Sequence, residues 1–149
     1  MKIKYILIIA LVFIFASCQK MKYDKEYNWA YPVSGDWTIK AEYGTTIDGP
    51  FSIKTFNSSF GQDSIWIDDN HNYWPFKVKA AVNMKTLTFS TTNYVSYPGT
   101  GTEDVVTITN AQIIKTDSIY FEAQFASDPG TVYKMYGHRK TSYEEYNGL

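Results

Sequence analysis

From Trp37 to Arg139 the chain alternates between apolar and polar residues. Trp37, Ile39, Ala41 and Tyr43 fall on one side, with Thr38, Lys40 and Glu42 between them. Successive side chains of an extended strand point to opposite faces, whereas apolar positions on a helix recur every three or four residues. The spacing therefore predicts a half-buried strand, and it recurs along the chain, cut each time by turn chemistry. Phe51 to Phe56 ends at Asn57-Ser58-Ser59 and Gly61, and the preceding Asp48-Gly49-Pro50 reads as a break. Ser64 to Asp68 carries Ile65 and Ile67 on one side and ends at Asp69-Asn70-His71-Asn72. Trp74, Phe76, Val78, Ala80 and Val82 alternate with Lys77, Lys79 and Ala81, with Pro75 near the start because proline cannot donate to a ladder. Thr86 to Thr92 puts Leu87 and Phe89 inward, and Val105 to Ile114 carries a kink near Asn110. Ile119, Phe121, Ala123 and Phe125 mark the next strand, and a last one runs from Thr131 to Arg139 after the Asp128-Pro129-Gly130 turn.

About eight short strands joined by short turns predict an all-β, antiparallel meander, packed as a sandwich or closed as an up-and-down barrel. The 17% aromatic content suits pleated, half-buried surfaces. An eight-stranded barrel has an interior that side chains fill or that holds one small ligand.

The N-terminus carries a different signal. Lys2 and Lys4 precede an apolar run from Tyr5 to Phe15, closed by Ala16-Ser17-Cys18. Positive start, short apolar stretch and small residues are the order of a secretory signal. The run is about half of the roughly 20 residues that span a bilayer, and charge resumes at Lys20, Lys22 and Asp24. The small-small-Cys ending resembles the lipobox of bacterial lipoproteins. That resemblance implies that the Cys18 sulfur receives a diacylglycerol and that the preceding segment is removed. Cys18 is the only cysteine, so its acylation leaves none for a disulfide. The expected organisation is a signal peptide over 1–17, a lipid-anchored tether over 18–34, a β-barrel domain over 35–142 and a tail over 143–149. The expected location is the cell envelope, on the outer membrane. Gln19-Lys20 begins like an export signal but Met21-Lys22 does not continue it, which leaves the periplasmic and the surface face both open.

The lipobox, the Gly35-Asp36-Trp37-Thr38 opening and the ending Asp128-Pro129-Gly130 with Tyr136-Gly137-His138-Arg139-Lys140-Thr141 resemble small Bacteroidota lipoproteins described as lipid-binding putative hydrolases. The resemblance implies a calycin or lipocalin-like barrel that binds an apolar ligand, and brings with it no catalytic motif.

Net charge is -1, which gives no basic field for nucleic acid. Nucleophilic hydrolysis needs an activated nucleophile, a base and an orienting group. The chain has two histidines, His71 and His138, and no Gly-x-Ser-x-Gly elbow. A triad of His138 with Asp36 or Asp128 stays open, against a reading of His138 as a solvated residue near a strand end; no catalytic residue is assigned. Asp68-x-Asn70-x-Asn72 opens like a calcium loop, but Tyr73 stands where glycine makes the turn and Lys79 where the bidentate glutamate belongs. His71 lacks a second nearby His or Cys, so neither a metal nor a cofactor is expected. Asp63-Ser64-Ile65 and Asp117-Ser118-Ile119 resemble a three-residue O-glycosylation acceptor at Ser64 and Ser118; the other reading is two Asp-Ser turns.

The inward set carries the functional expectation. Trp37, Ile39, Tyr43, Trp74, Phe76, Phe89, Phe121 and Phe125, with Ile65, Ile67 and Val78, line a pocket for an acyl chain or simply form the core. Trp66, Tyr97 and Tyr120 point outward by alternation, which suits a protein or glycan partner. The favoured expectation is a lipid-anchored envelope barrel that binds a small hydrophobic ligand. The alternatives are an interaction module with a solid core and surface aromatics, and a hydrolase. The chemistry in view leans away from an enzyme.

Overall fold

A computed structural model describes residues 27–59, 61–101 and 103–140. A 3-10 turn, Tyr31–Val33, leads into β1 (Gly35–Tyr43), β2 (Thr46–Asn57), β3 (Ser64–Asp68), β4 (Lys77–Asn83), β5 (Thr88–Ser96), β6 (Asp104–Ile114), β7 (Ser118–Phe125) and β8 (Tyr133–Arg139). Each strand pairs antiparallel with the next, and β8 returns to β1 in register from Trp37↔Arg139 to Glu42↔Lys134. The result is a closed barrel in sequence order. Among the described residues no helix is long and apolar enough to cross a membrane.

Alternation placed β3 at the bounds expected for it, and the kink near Asn110 is a bulge: Asn110 takes φ 50 and the β6–β7 register slips between Thr109 and Gln112. Several boundaries differ from expectation: β5 runs Thr88–Ser96 rather than Thr86–Thr92, β8 starts at Tyr133 rather than Thr131, and β2 and β4 differ for identifiable reasons. β2 begins at Thr46 and runs through Asp48-Gly49-Pro50. Its register with β1 steps from Ile39↔Phe51 to Ala41↔Asp48, so β2 carries one extra residue there. Gly49 makes the step with φ 115, where a Cβ would come 3.0 Å from the Ile39 carbonyl oxygen. β4 begins at Lys77 rather than at Trp74. The preceding loop is held instead by Asp69, whose carboxylate accepts the backbone N–H groups of His71 (2.9 Å), Phe76 (3.1 Å) and Tyr73 (3.2 Å). A local carboxylate has here outcompeted the ladder for the backbone donors.

The interior is filled. Trp37, Phe76, Phe121, Phe125, Ile39, Ile53 and Met135 are at most 2% exposed and belong to one hydrophobic cluster that draws on every strand. Each such side chain contributes about 1.5–3 kcal/mol by leaving water. Closure depends on Gly137. It sits opposite Ile39, and a Cβ there would lie 2.6 Å from the Ile39 Cα and closer still to the Thr38 carbonyl oxygen.

The barrel has two distinct ends. At the near end, where β1 begins and β8 stops, the 3-10 turn tucks Val33 and Ala30 into the core. Thr55 ties it down: its Oγ1 donates to the Val33 carbonyl (2.7 Å) and accepts from Trp37 Nε1 (2.8 Å). Residues 27–34, which the sequence assigns to a tether, thus include side chains that pack against the barrel. The far end is formed by the β1–β2, β3–β4, β5–β6 and β7–β8 connections.

Candidate functional site

Two places on the barrel carry chemistry. The first is a groove on the outer wall at the β1–β8 seam. Thr38 and Lys40 point outward from β1, opposite His138 and Tyr136 of β8. Gly137 between them adds no side chain, and the extra residue in β2 throws Pro50 against the same wall. Together they leave a largely apolar hollow of about 380 Å³, walled by Thr38, Lys40, Pro50, Tyr136 and His138 over a floor of Ile39 and Gly137. That volume lies in the usual range for small-molecule sites. Its polar groups are the Lys40 ammonium, the Thr38 hydroxyl, the Tyr136 phenol and the His138 imidazole.

His138 also meets Ser118. The two residues are direct partners across β7 and β8, with Ser118 Oγ 3.1 Å from His138 Nδ1. The Ser118 hydroxyl donates to Asp117 (2.8 Å). Of the two carboxylates considered for a triad, Asp36 pairs with Lys54 at 3.8 Å and Asp128 accepts the Tyr133 hydroxyl at the far end. The hydrogen-bond partner that the structure gives His138 is thus Ser118.

The second place is the far end, sealed by stacked rings. Trp74 lies on Phe125 (4.8 Å, 22°) and near Tyr133 (5.4 Å), Tyr133 meets Tyr43 (4.9 Å), and Phe51 stacks on Tyr73 (4.5 Å, 13°). Every polar tip finds a carboxylate. Tyr43 and Tyr73 both donate to Asp48 Oδ2 (3.0 and 2.9 Å), Tyr133 to Asp128 (2.6 Å) and Trp74 Nε1 to Asp104 (3.1 Å). Burial and these carboxylates push the Tyr73 and Tyr133 hydroxyls well above the usual phenol range, and the Asp48 bond raises Tyr43. Tyr97, stacked on His71 at 4.7 Å, is pushed up to about 12 by burial and by Asp68.

The expected pocket lining divides accordingly. Trp37, Ile39, Phe76, Phe121 and Phe125 are core, and an occupant of the interior would have to displace them. Tyr43 and Trp74 are half-buried in the far-end seal. Phe89 lies in the core and also at the floor of a broad open saddle of about 620 Å³ over β4, β5 and β6. The outward aromatics do not stand free. Trp66 meets Tyr94 edge-on (6.1 Å) beneath Lys77, Tyr97 donates to Asp68 (3.2 Å) and Tyr120 to Glu122 (2.8 Å). Ser64 is 7% exposed with its hydroxyl 2.9 Å from that of Ser58, so the folded barrel does not present it for modification. Ser118 is half-buried on Asp117 and His138. Among the described residues no group of three or more His, Cys, Asp or Glu side chains is placed to hold a metal ion. Cys18 lies outside the described residues.

Sequence reasoning missed Gly137, Pro50, Tyr136 and Lys40 as a set. The available signal was a glycine inside a strand pattern, which marks a close backbone approach.

A family model described as lipid-binding putative hydrolase matches residues 22–144. No curated protein matches the chain significantly.

Proposed function

Because the chain belongs to the lipid-binding putative hydrolase family, we propose that it is a lipid-anchored barrel of the cell envelope that holds a small amphiphile on its outer wall. The amphiphile has an apolar chain and an acidic head. The observation that carries this reading is the groove at the β1–β8 seam: about 380 Å³, largely apolar, with Lys40 and His138 beside it. An acyl chain lies along Pro50, Tyr136 and the Ile39–Gly137 floor, where it leaves water. A carboxylate or phosphate head pairs with the Lys40 ammonium and accepts a hydrogen bond from His138. Binding of this kind asks no chemistry of the site. The filled interior favours the outer wall over the barrel axis. The anchor is Cys18, with its small-small-Cys setting at the end of a signal sequence. Two acyl chains on one cysteine hold a protein on a membrane stably.

The test is a titration of the Cys18→Ser protein with a fluorescent fatty acid, alongside native mass spectrometry for co-purified lipid. Saturable binding is expected. Thr38→Trp, which fills the groove, should abolish it, and Lys40→Glu should weaken it by tenfold or more (about 1.4 kcal/mol). Binding that survives Thr38→Trp unchanged removes the groove as the site.

A further inference from the structure

The near end of the barrel differs from the far end in both surface chemistry and charge. Tyr27 and Tyr31 stack on one another with ring centroids 4.0 Å apart, yet remain 57% and 46% exposed. The Arg139 guanidinium sits 5.9 Å from the Tyr31 ring and 4.7 Å from Trp37, and its Nε donates to the Thr116 carbonyl (3.1 Å). That bond sets the β6–β7 turn, with Lys115, beside the tyrosines, and Ile114 before the turn is 44% exposed. Tyr31, Pro32, Thr116, Asp117 and Arg139 frame a largely apolar hollow of about 320 Å³.

The charges of the described residues divide between the ends. Asp48, Asp68, Asp69, Glu103, Asp104 and Asp128 gather at the far end, where Lys77 and Lys134 are the cations and each already faces a carboxylate, Asp68 (3.1 Å) and Glu42 (3.8 Å). Lys85, Lys115 and Arg139 stand at the near end against Asp36, Asp63 and Asp117, while Lys54 lies between the ends, opposite both Asp36 and Asp68, and the Lys140 ammonium reaches along the wall to the Ser52 hydroxyl.

We propose that the near end rests on the membrane surface. Tyr27, Tyr31 and Ile114 sit at headgroup level, and Lys115 and Arg139 face anionic headgroups. This rests on the reading of Cys18 as acylated. The chain enters the barrel at this end, and the nine residues from Cys18 to Tyr27 reach at most about 32 Å when fully extended. The anchor therefore delivers the aromatic patch, with Lys115 and Arg139, to the bilayer, and this end is less acidic than the far one. Tyrosine rings are at home at the membrane–water interface, apolar body inward and hydroxyl wet. Lysine and arginine near an anionic leaflet add an attraction that fades within a Debye length. The acidic far end is turned away from the membrane.

The experiment uses the mature acylated protein on phosphatidylethanolamine vesicles, with and without phosphatidylglycerol. Acylation consumes Cys18, so one introduced cysteine is the only thiol to label. An environment-sensitive dye is placed at Thr116→Cys on the near end or Thr45→Cys on the far end, and quenched by headgroup-borne nickel or by a water-soluble quencher. Headgroup quenching several-fold stronger at Thr116→Cys is expected. The difference should shrink without phosphatidylglycerol, and in a Tyr27→Ser, Tyr31→Ser, Lys115→Gln variant that stays on the vesicles. Equal quenching at both ends with the protein on the vesicles overturns the docking and leaves the anchor standing. A near-end dye shielded from both quenchers means that a second copy covers the patch, which also overturns it. Protein left in the supernatant overturns the anchor reading and the docking with it.

Discussion

Gly137 lies against Ile39 with no room for a side chain: a Cβ on Gly137 would come 2.6 Å from the Ile39 Cα. The two residues are register partners where the last strand closes on the first. The clash is with backbone, which cannot rotate away, so Gly137→Ala has to pry β8 from β1. A loss of about 3 kcal/mol or more is expected, at the upper end of overpacking costs. Urea denaturation followed by tryptophan fluorescence measures it, and a loss below about 1 kcal/mol would mean that the seam is looser than described.

Asp48 carries two tyrosine hydroxyls on one oxygen, from Tyr43 and Tyr73. Asp48→Ala takes the acceptor from both hydroxyls and lowers the denaturation midpoint, with Tyr73 carrying more of the loss than Tyr43, whose hydroxyl is open to water. Asp48→Asn keeps a carbonyl acceptor and should lose less than half as much. Equal losses for the two variants, read from denaturation midpoints, would count against the shared bond.

The raised phenols make the barrel sensitive to alkali. Tyr97 and Tyr120 are each pushed up to about 12, by burial first, and Tyr43, Tyr73 and Tyr133 are raised too. A group whose folded pKa exceeds its unfolded value contributes stability that is complete below the unfolded value. Stability is therefore full below pH 10, the ordinary phenol value, and falls as pH climbs through 10 towards 12, because the unfolded chain gives up protons that the fold retains. Absorbance at the phenolate band should show these tyrosines ionising late, together with unfolding. These five tyrosines titrating smoothly near pH 10 in the folded protein would contradict the assignment.

Thr55 joins the near-end turn to the core through Val33 and Trp37. Thr55→Val keeps the shape but orphans the buried Trp37 Nε1–H and the Val33 carbonyl, a loss of about 2 kcal/mol or more. Amide exchange at Val33 and Ser34 should speed up before global unfolding does. Unchanged exchange there would show that packing alone holds the turn.

Much of this architecture is legible in the sequence because period two is a local property. Ser64 to Asp68 and the inward sets of β1 and β7 follow from alternation alone. What is not legible depends on who wins a competition at a distance. Asp48-Gly49-Pro50 reads as a break from its own chemistry, yet it is carried into β2 because Asp48 finds Ala41 across the ladder. Trp74 and Phe76 continue an alternation, yet Asp69 takes the Phe76 N–H that a strand would have used. Inwardness is likewise readable at Trp37, Phe76 and Phe121, whereas filling is not, since it is set by the summed volumes of eight strands. Ser118 and His138 are distant in sequence and meet only because β7 and β8 align them.

Every strand of the barrel has a neighbour on both sides. Little margin is therefore left for β-augmentation, in which a partner lays its own strand along an edge and reads main-chain hydrogen bonds; the exception is the β4–β5 seam, where only Ala81–Asn83 meet Thr88–Ser90. The same closure leaves misfolded neighbours little template for edge-to-edge growth. Away from that seam, whatever recognises this barrel has to read its side chains.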